Sequence, residues 1–190
     1  MSDIIKKAHR IAVNASKTHY ASRQQDSIKL WPYHYKPKCI GFDEIINTQE
    51  YEDALFIFND DTPRFLDFYN NRQKSTSGSK NSGGNACIRS YQCKDKPRAA
   101  GIPTGQNYLK LDEDNIKYID MSIEVIREVL DKNKDYTRVF YSADDKNMNQ
   151  NLGVDIFAGQ VGLDVRWYIV GRLRDLINEI NKEREEIKNK

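Results

Sequence analysis

Residues 54–63 read ALFIFNDDTP, and the fold turns on this stretch. Ala54 to Phe58 is a continuous apolar run without polar alternation, as expected of a strand covered on both faces, and it empties into Asn59, Asp60 and Asp61. Thr62-Pro63 then opens a helix. Asp61 or Thr62 supplies the N-cap, Pro63 takes the first helical position, where no N–H partner is needed, and Phe65, Leu66, Phe68 and Tyr69 form the apolar side. A doubly covered strand, a polar turn and a helix make the repeating unit of an α/β domain, and the turn after the strand is where such domains place ligands.

Downstream, Arg72 to Gly84 (RQKSTSGSKNSGG) is poor in hydrophobes and predicts a loop. Ala86 to Tyr91 is compatible with a strand, and Pro97 and Pro103 are expected to break regular structure through GIPTG. From Asn115 to Lys132, Ile119, Ile123, Ile126 and Leu130 recur at helical spacing and predict a core-facing helix. Arg138 to Ala143 (RVFYSA) predicts a second strand, adjacent or nearly adjacent to the first. A polar excursion, DDKNMNQN (144–151), follows it. The last helix is expected from Leu163-Asp164, with Val165, Ile169, Leu173, Leu176 and Ile180 on one face and residues 181–190 as a charged, solvated tail.

Upstream, Ile4, Ile5, Ala8, Ile11 and Ala12 mark an amphipathic helix over 3–14. The pattern lapses from Ser16 to Lys38, where the prolines of LWPYHYKPK favour extended backbone and His34, between Tyr33 and Tyr35, reads as filler rather than catalyst. Asp43 is expected to cap a helix through Ile45, Ile46 and Tyr51. The expectation is one domain of 190 residues, with residues 1–50 as an N-terminal extension packed on an α/β core.

Two glycine-bearing loops carry the candidate chemistry. In SGGNACIRSYQCKDKPRAAGIPTG (82–105), Gly83 and Gly84 permit close backbone approach to a ligand, and Arg89 and Arg98 offer forks suited to phosphate oxygens. In LGVDIFAGQVG (152–162), the glycines stand between a strand and a helix. Successive glycine-region N–H groups can form an anion nest, to which a helix N-terminus adds favourable partial charge. The α/β order is expected to bring Asn59, Asp60, Gly83, Gly84 and Gly153 to one crevice, with Tyr91, Tyr108, Tyr141 or Phe157 available to stack on a base. Each of these residues also has a plain structural use: the glycines in turns, the arginines at the surface, the aromatics in the core.

The order strand, helix, glycine loop, helix, strand, glycine loop, helix resembles a divergent macro domain, the ADP-ribose-binding α/β fold. It also resembles uncharacterised bacteriophage proteins that share the GGNA, AAGIPTG and LGxxIF pattern. The resemblance spans roughly Ala54 to Ile180 and implies a three-layer sandwich, a mixed sheet with helices on both faces. It implies ligand-binding roles for Asn59 with Asp60 after the early strand, for Gly83, Gly84 and Asn85 around the distal ribose, and for Ser142 with Gly153, Val154, Asp155, Ile156 and Phe157 around the diphosphate. The implied partner is an ADP-ribose-like or cyclic nucleotide, and in a phage setting the implied role is to sequester a host immune signal of the cyclic ADP-ribose type in the host cytoplasm. Two alternatives stand beside it: a hydrolase of the same ligand class, with Asn59 and Asp60 orienting water, and a protein-interaction module. Binding without catalysis is favoured, and no cofactor is expected.

Composition narrows the classes. The net charge of +2, from 30 basic and 28 acidic residues, argues against a general nucleic-acid coat. No apolar run approaches the ~20 residues of a membrane helix, and MSDIIKKAHR lacks the apolar core of a secretory signal. Cys39, Cys87 and Cys93 form no CxxC and leave an odd thiol, which suits a cytoplasmic setting, and His9, His19 and His34 lack zinc-ligand spacing. Neither a P-loop lysine motif nor a Ser-His-Asp order is present. The oligomeric state is not legible.

Overall fold

A computed structural model describes residues 1–17, 27–34, 41–72, 84–105, 107–143 and 161–189. In chain order the elements are α1 (Asp3–Lys17), β1 (Lys29–His34), α2 (Phe42–Ile45), a 3₁₀ turn (Gln49–Tyr51), β2 (Ala54–Asp60) and α3 (Thr62–Asn70). A long 3₁₀ segment (Gly84–Cys93), β3 (Ala99–Pro103), α4 (Glu113–Lys132), β4 (Arg138–Ala143) and α5 (Leu163–Lys188) complete the described chain.

The strands form one sheet in the order β1-β4-β2-β3, and every described pairing is parallel. The α/β architecture is as expected; the mixed sheet is not, because each described strand returns through helical connections that restore its direction. β2 and β4 are direct neighbours, with Ala54 opposite Arg138 and Ile57 opposite Tyr141. Every residue of β2 is buried, which explains its unbroken apolar run: alternate side chains enter two separate cores. Leu55 and Ile57 join Leu30, Ile102, Val139 and Tyr141 beneath α1, α4 and α5. Phe56 and Phe58 face the other way, among Phe42 of α2, Ile46 just after it, and Ala86 and Ile88 of the 3₁₀ segment. Phe56 stacks on Phe140 from the neighbouring strand, with centroids 5.4 Å apart.

Several sequence expectations change. Residues 86–91 are 3₁₀ rather than strand: Ile88 and Arg89 are both buried though adjacent, and a half-buried strand would send them to opposite faces. Residues 99–103, expected to be irregular, form the fully buried β3. Pro103 closes that strand at the sheet's margin, and Pro32 lies within β1 at the other margin, where a missing N–H is tolerated. Residues 1–50 are no mere extension, since β1 is a sheet strand and Ala8 and Ala12 of α1 lie in the larger core. Gly171 of α5 allows this contact: a Cβ there would stand 2.6 Å from Ile11 Cγ2. Gly41, not Asp43, holds the N-cap position of α2.

α3 and α4 begin with side-chain caps. Asp61 Oδ1 accepts from Arg64 N at 2.9 Å, as the sequence predicts, and Asp112 Oδ1 accepts from Asn115 N at 2.9 Å. The tail of α5 is tied down more firmly than its charge pattern suggests. Asn181 Nδ2 donates to Ile28 O at 3.0 Å and its Oδ1 accepts from Ile28 N at 2.8 Å, while Arg184 donates to Tyr136 O and Leu130 O. No helix among the described residues is long and apolar enough to cross a membrane.

Candidate functional site

In a parallel sheet all strand ends of one polarity share an edge, so Asn59-Asp60, Pro103-Thr104 and Ser142-Ala143 converge. β4 is inserted between β1 and β2, and the chain reverses its direction of travel around that insertion. It leaves β2 toward β3 past the 3₁₀ segment and leaves β4 toward α5 on the opposite face. Such reversal points leave a crevice outside the carboxyl ends of the strands.

Asp60 is the structural centre of this edge. Its side chain is fully buried, and Oδ1 accepts from Arg89 Nε at 3.0 Å, from Arg89 NH2 and from Asp61 N at 2.8 Å. Its backbone carbonyl accepts from Thr104 N at 2.9 Å, which binds the ends of β2 and β3 together. Gly101, beside Asp60, is required by this packing: a Cβ would lie 2.8 Å from Asp60 Oδ2 and 2.9 Å from Phe58 Cζ. Burial pushes the Asp60 carboxyl up, against the pull of Arg89. Among the described residues, Asp60 Oδ2 and Thr104 Oγ1 are buried without a hydrogen-bond partner.

The two arginines need correction. Arg89 is 1% exposed, and its guanidinium is held by Asp60, with the Phe58 ring 5.7 Å away. It is therefore a buried fastener between the 3₁₀ segment and the end of β2, not a surface fork waiting for phosphate. Arg98 precedes β3 and so lies at the opposite, N-terminal edge. At about 3.3 Å per residue, β3 separates Arg98 from Thr104 by roughly 20 Å. There it donates from Nε to Ala54 O at 3.0 Å and from NH2 to Tyr51 O.

The other sequence-derived residues divide into two groups. Asn59 and Ser142 are buried at the C-terminal edge, and Gly84 and Asn85 open the 3₁₀ segment that carries Arg89. Gly83, Gly153, Val154, Asp155, Ile156 and Phe157 lie outside the described residues. Thr104 was missed because GIPTG reads as a breaker, although small buried residues before it (Ala99, Ala100) were the available sign of a strand. Thr62 was legible only as a cap; its Oγ1 lies 2.8 Å from the Tyr108 hydroxyl, which burial raises to about 12. Of the proposed stacking residues, Tyr108 and Tyr141 are buried in the larger core.

The described part of this edge offers amide, carboxylate and hydroxyl groups for recognising polar atoms. Arg89 holds Asp60 Oδ1, while Oδ2 is left without a partner among the described residues. The Cys87 thiol, although on an exposed residue, is poorly suited to nucleophilic work, since partial desolvation, with Asp43 nearby, raises it to about 11. No protein-family model matches this chain, and searches of curated proteins and of solved structures return no match.

Proposed function

We propose that this protein binds an ADP-ribose-like nucleotide at the C-terminal edge of its sheet and holds it without turnover. The observation that carries the reading is the convergence of Asn59, Asp60, Thr104 and Ser142 at the carboxyl ends of neighbouring parallel strands, where the chain reverses direction. The resemblance of the element order over residues 54–180 to a macro domain supplies the ligand class. Phosphate recognition then falls to backbone N–H groups rather than to Arg89 or Arg98, because both guanidinium groups are bound within the protein at positions unsuited to a ligand. Sequestration of a cyclic ADP-ribose-type signal is the role that suits such a site.

The test is to incubate purified protein with ADP-ribose, its cyclic isomers and other nucleotides, remove free ligand, heat-denature and identify what is released by mass spectrometry. Intact ADP-ribose-type nucleotide at near-stoichiometric yield is expected. Product formed at substoichiometric protein would make it a hydrolase, and retention of no nucleotide would overturn the proposal.

A further inference from the structure

A separate groove of about 300 Å³ lies among α1, α4 and α5, with none of the nucleotide-site residues in its lining. Its geometry follows from sequence spacing. Ile4, Lys7, Ala8 and Ile11 form one stripe of α1, and seven residues at 1.5 Å each give the groove a wall about 10 Å long. A second stripe, from Glu113 to Asp120, forms the α4 wall. That length and volume suit a small molecule better than a partner helix, and the volume is at the lower end of ordinary ligand sites, which begin at about 300 Å³.

The floor is apolar, built from Ala8, Ile11 and Ile116, and Ile4 at its margin is 55% exposed. The charges around it are not equally committed. Asp120 Oδ1 accepts from both Tyr168 Oη and Arg172 Nε at 2.8 Å, so that carboxylate and that guanidinium neutralise one another. Lys7 and Lys117 are exposed and form no ion pair among the described residues; the Lys117 ammonium lies 5.8 Å from the centroid of the Tyr118 ring. Glu113 likewise forms no ion pair there, although Lys117 is one turn away. With the Asp120–Arg172 pair set aside, the lining carries two lysines and one glutamate around an apolar floor.

We propose that this groove binds a small amphipathic carboxylate: an apolar body on Ala8, Ile11 and Ile116, with its anionic head between Lys7 and Lys117. The nearby Glu113 works against that head and limits affinity. The inference is independent of the nucleotide reading and stands or falls separately from it.

The experiment is a titration of the full chain with octanoate, followed by amide NMR shifts, with octylammonium and octanol as controls of equal chain length. Saturable shifts confined to the groove are expected, with a dissociation constant on the order of 1 mM for a ligand of this size. Lys117→Glu and Lys7→Glu should each weaken octanoate roughly tenfold, and Glu113→Gln should tighten it about threefold, as close charge contacts near a protein surface allow. Because both lysines are exposed, circular dichroism should show the fold unchanged; if a charge reversal does perturb it, Lys117→Gln tests the same contact. Octylammonium binding as well as octanoate, shifts mapping elsewhere, or no saturable shift up to about 10 mM would overturn the proposal.

Discussion

At the N-terminal edge of the sheet, Arg98 donates to Tyr51 O and Ala54 O, Arg138 pairs with Asp53 and reaches Glu50 O, and Lys96 pairs with Asp135. At the C-terminal edge a buried pair, Arg89 with Asp60, holds the 3₁₀ segment to β2, while Asp60 Oδ2 and Thr104 Oγ1 lie nearby without partners among the described residues. The first edge directs its cations onto carbonyls and carboxylates that would otherwise be left at strand starts. Unpartnered buried atoms are not confined to the second edge, since both polar atoms of Gln92 and Arg184 Nε also lack partners among the described residues; the second edge places two such oxygens, Asp60 Oδ2 and Thr104 Oγ1, at the ends of paired strands. Charge alone does not mark a binding edge; the distinction lies in what each charged group already holds.

The strongest way to break this comparison is to cut the buried pair. Arg89→Ala leaves Asp60 buried without its cation and should destabilise the protein by about 3–5 kcal/mol in urea unfolding. Combining Asp60→Asn with Arg89→Met should recover most of that loss, since the introduced amide oxygen can still accept from Asp61 N and no uncompensated charge remains. A double variant no more stable than Arg89→Ala would show that the ion pair itself stabilises the fold.

Arg98→Ala should have a smaller effect, about 1–3 kcal/mol, from loss of charged hydrogen bonds to two carbonyls. Calorimetry should show its affinity for ADP-ribose unchanged. A tenfold weakening with the fold intact would return Arg98 to the binding site and undo the assignment of the two edges.

Asp53 gives the smallest effect and a defined pH window. Partial burial raises its pKa, but hydrogen bonds from Arg138 and Thr137 prevail and hold it below the ordinary 3.8. A depressed carboxyl contributes stability that is present above the unfolded-state value and lost as pH falls through the folded one. Asp53→Asn should therefore reduce stability at neutral pH by at most about 1 kcal/mol after solvent screening. Its deficit should shrink as pH falls from about 3.8 through the lower folded-state value, at which the native pair also fails. An unchanged deficit across that range would assign the effect to packing.

The sequence made β2, α3, α4, β4 and α5 legible because local rules and tertiary environment agree there: an unbroken apolar run, a capped proline start, or a helical stripe. β1 and β3 were obscured by Pro32, Pro97 and Pro103, which are breakers inside a sheet but acceptable at its margins. The tail of α5 looked solvated because Asn181 binds Ile28, a contact across 153 residues that no local pattern announces. Within the site, Asn59, Asp60 and Ser142 were readable as polar residues at strand ends. Arg89 and Arg98 were not, since sequence proximity to the glycine loop says nothing about which edge a guanidinium reaches or whether a carboxylate already holds it.

Hydrogen–deuterium exchange with and without saturating ADP-ribose tests the central claim most directly, because it compares both sheet edges in one sample. Protection is expected at residues 59–62, 102–105 and 142–143, with residues 51–54, 96–98 and 136–138 unchanged. Protection concentrated at the N-terminal group, or none at either edge, would contradict a nucleotide site at the carboxyl ends of the strands.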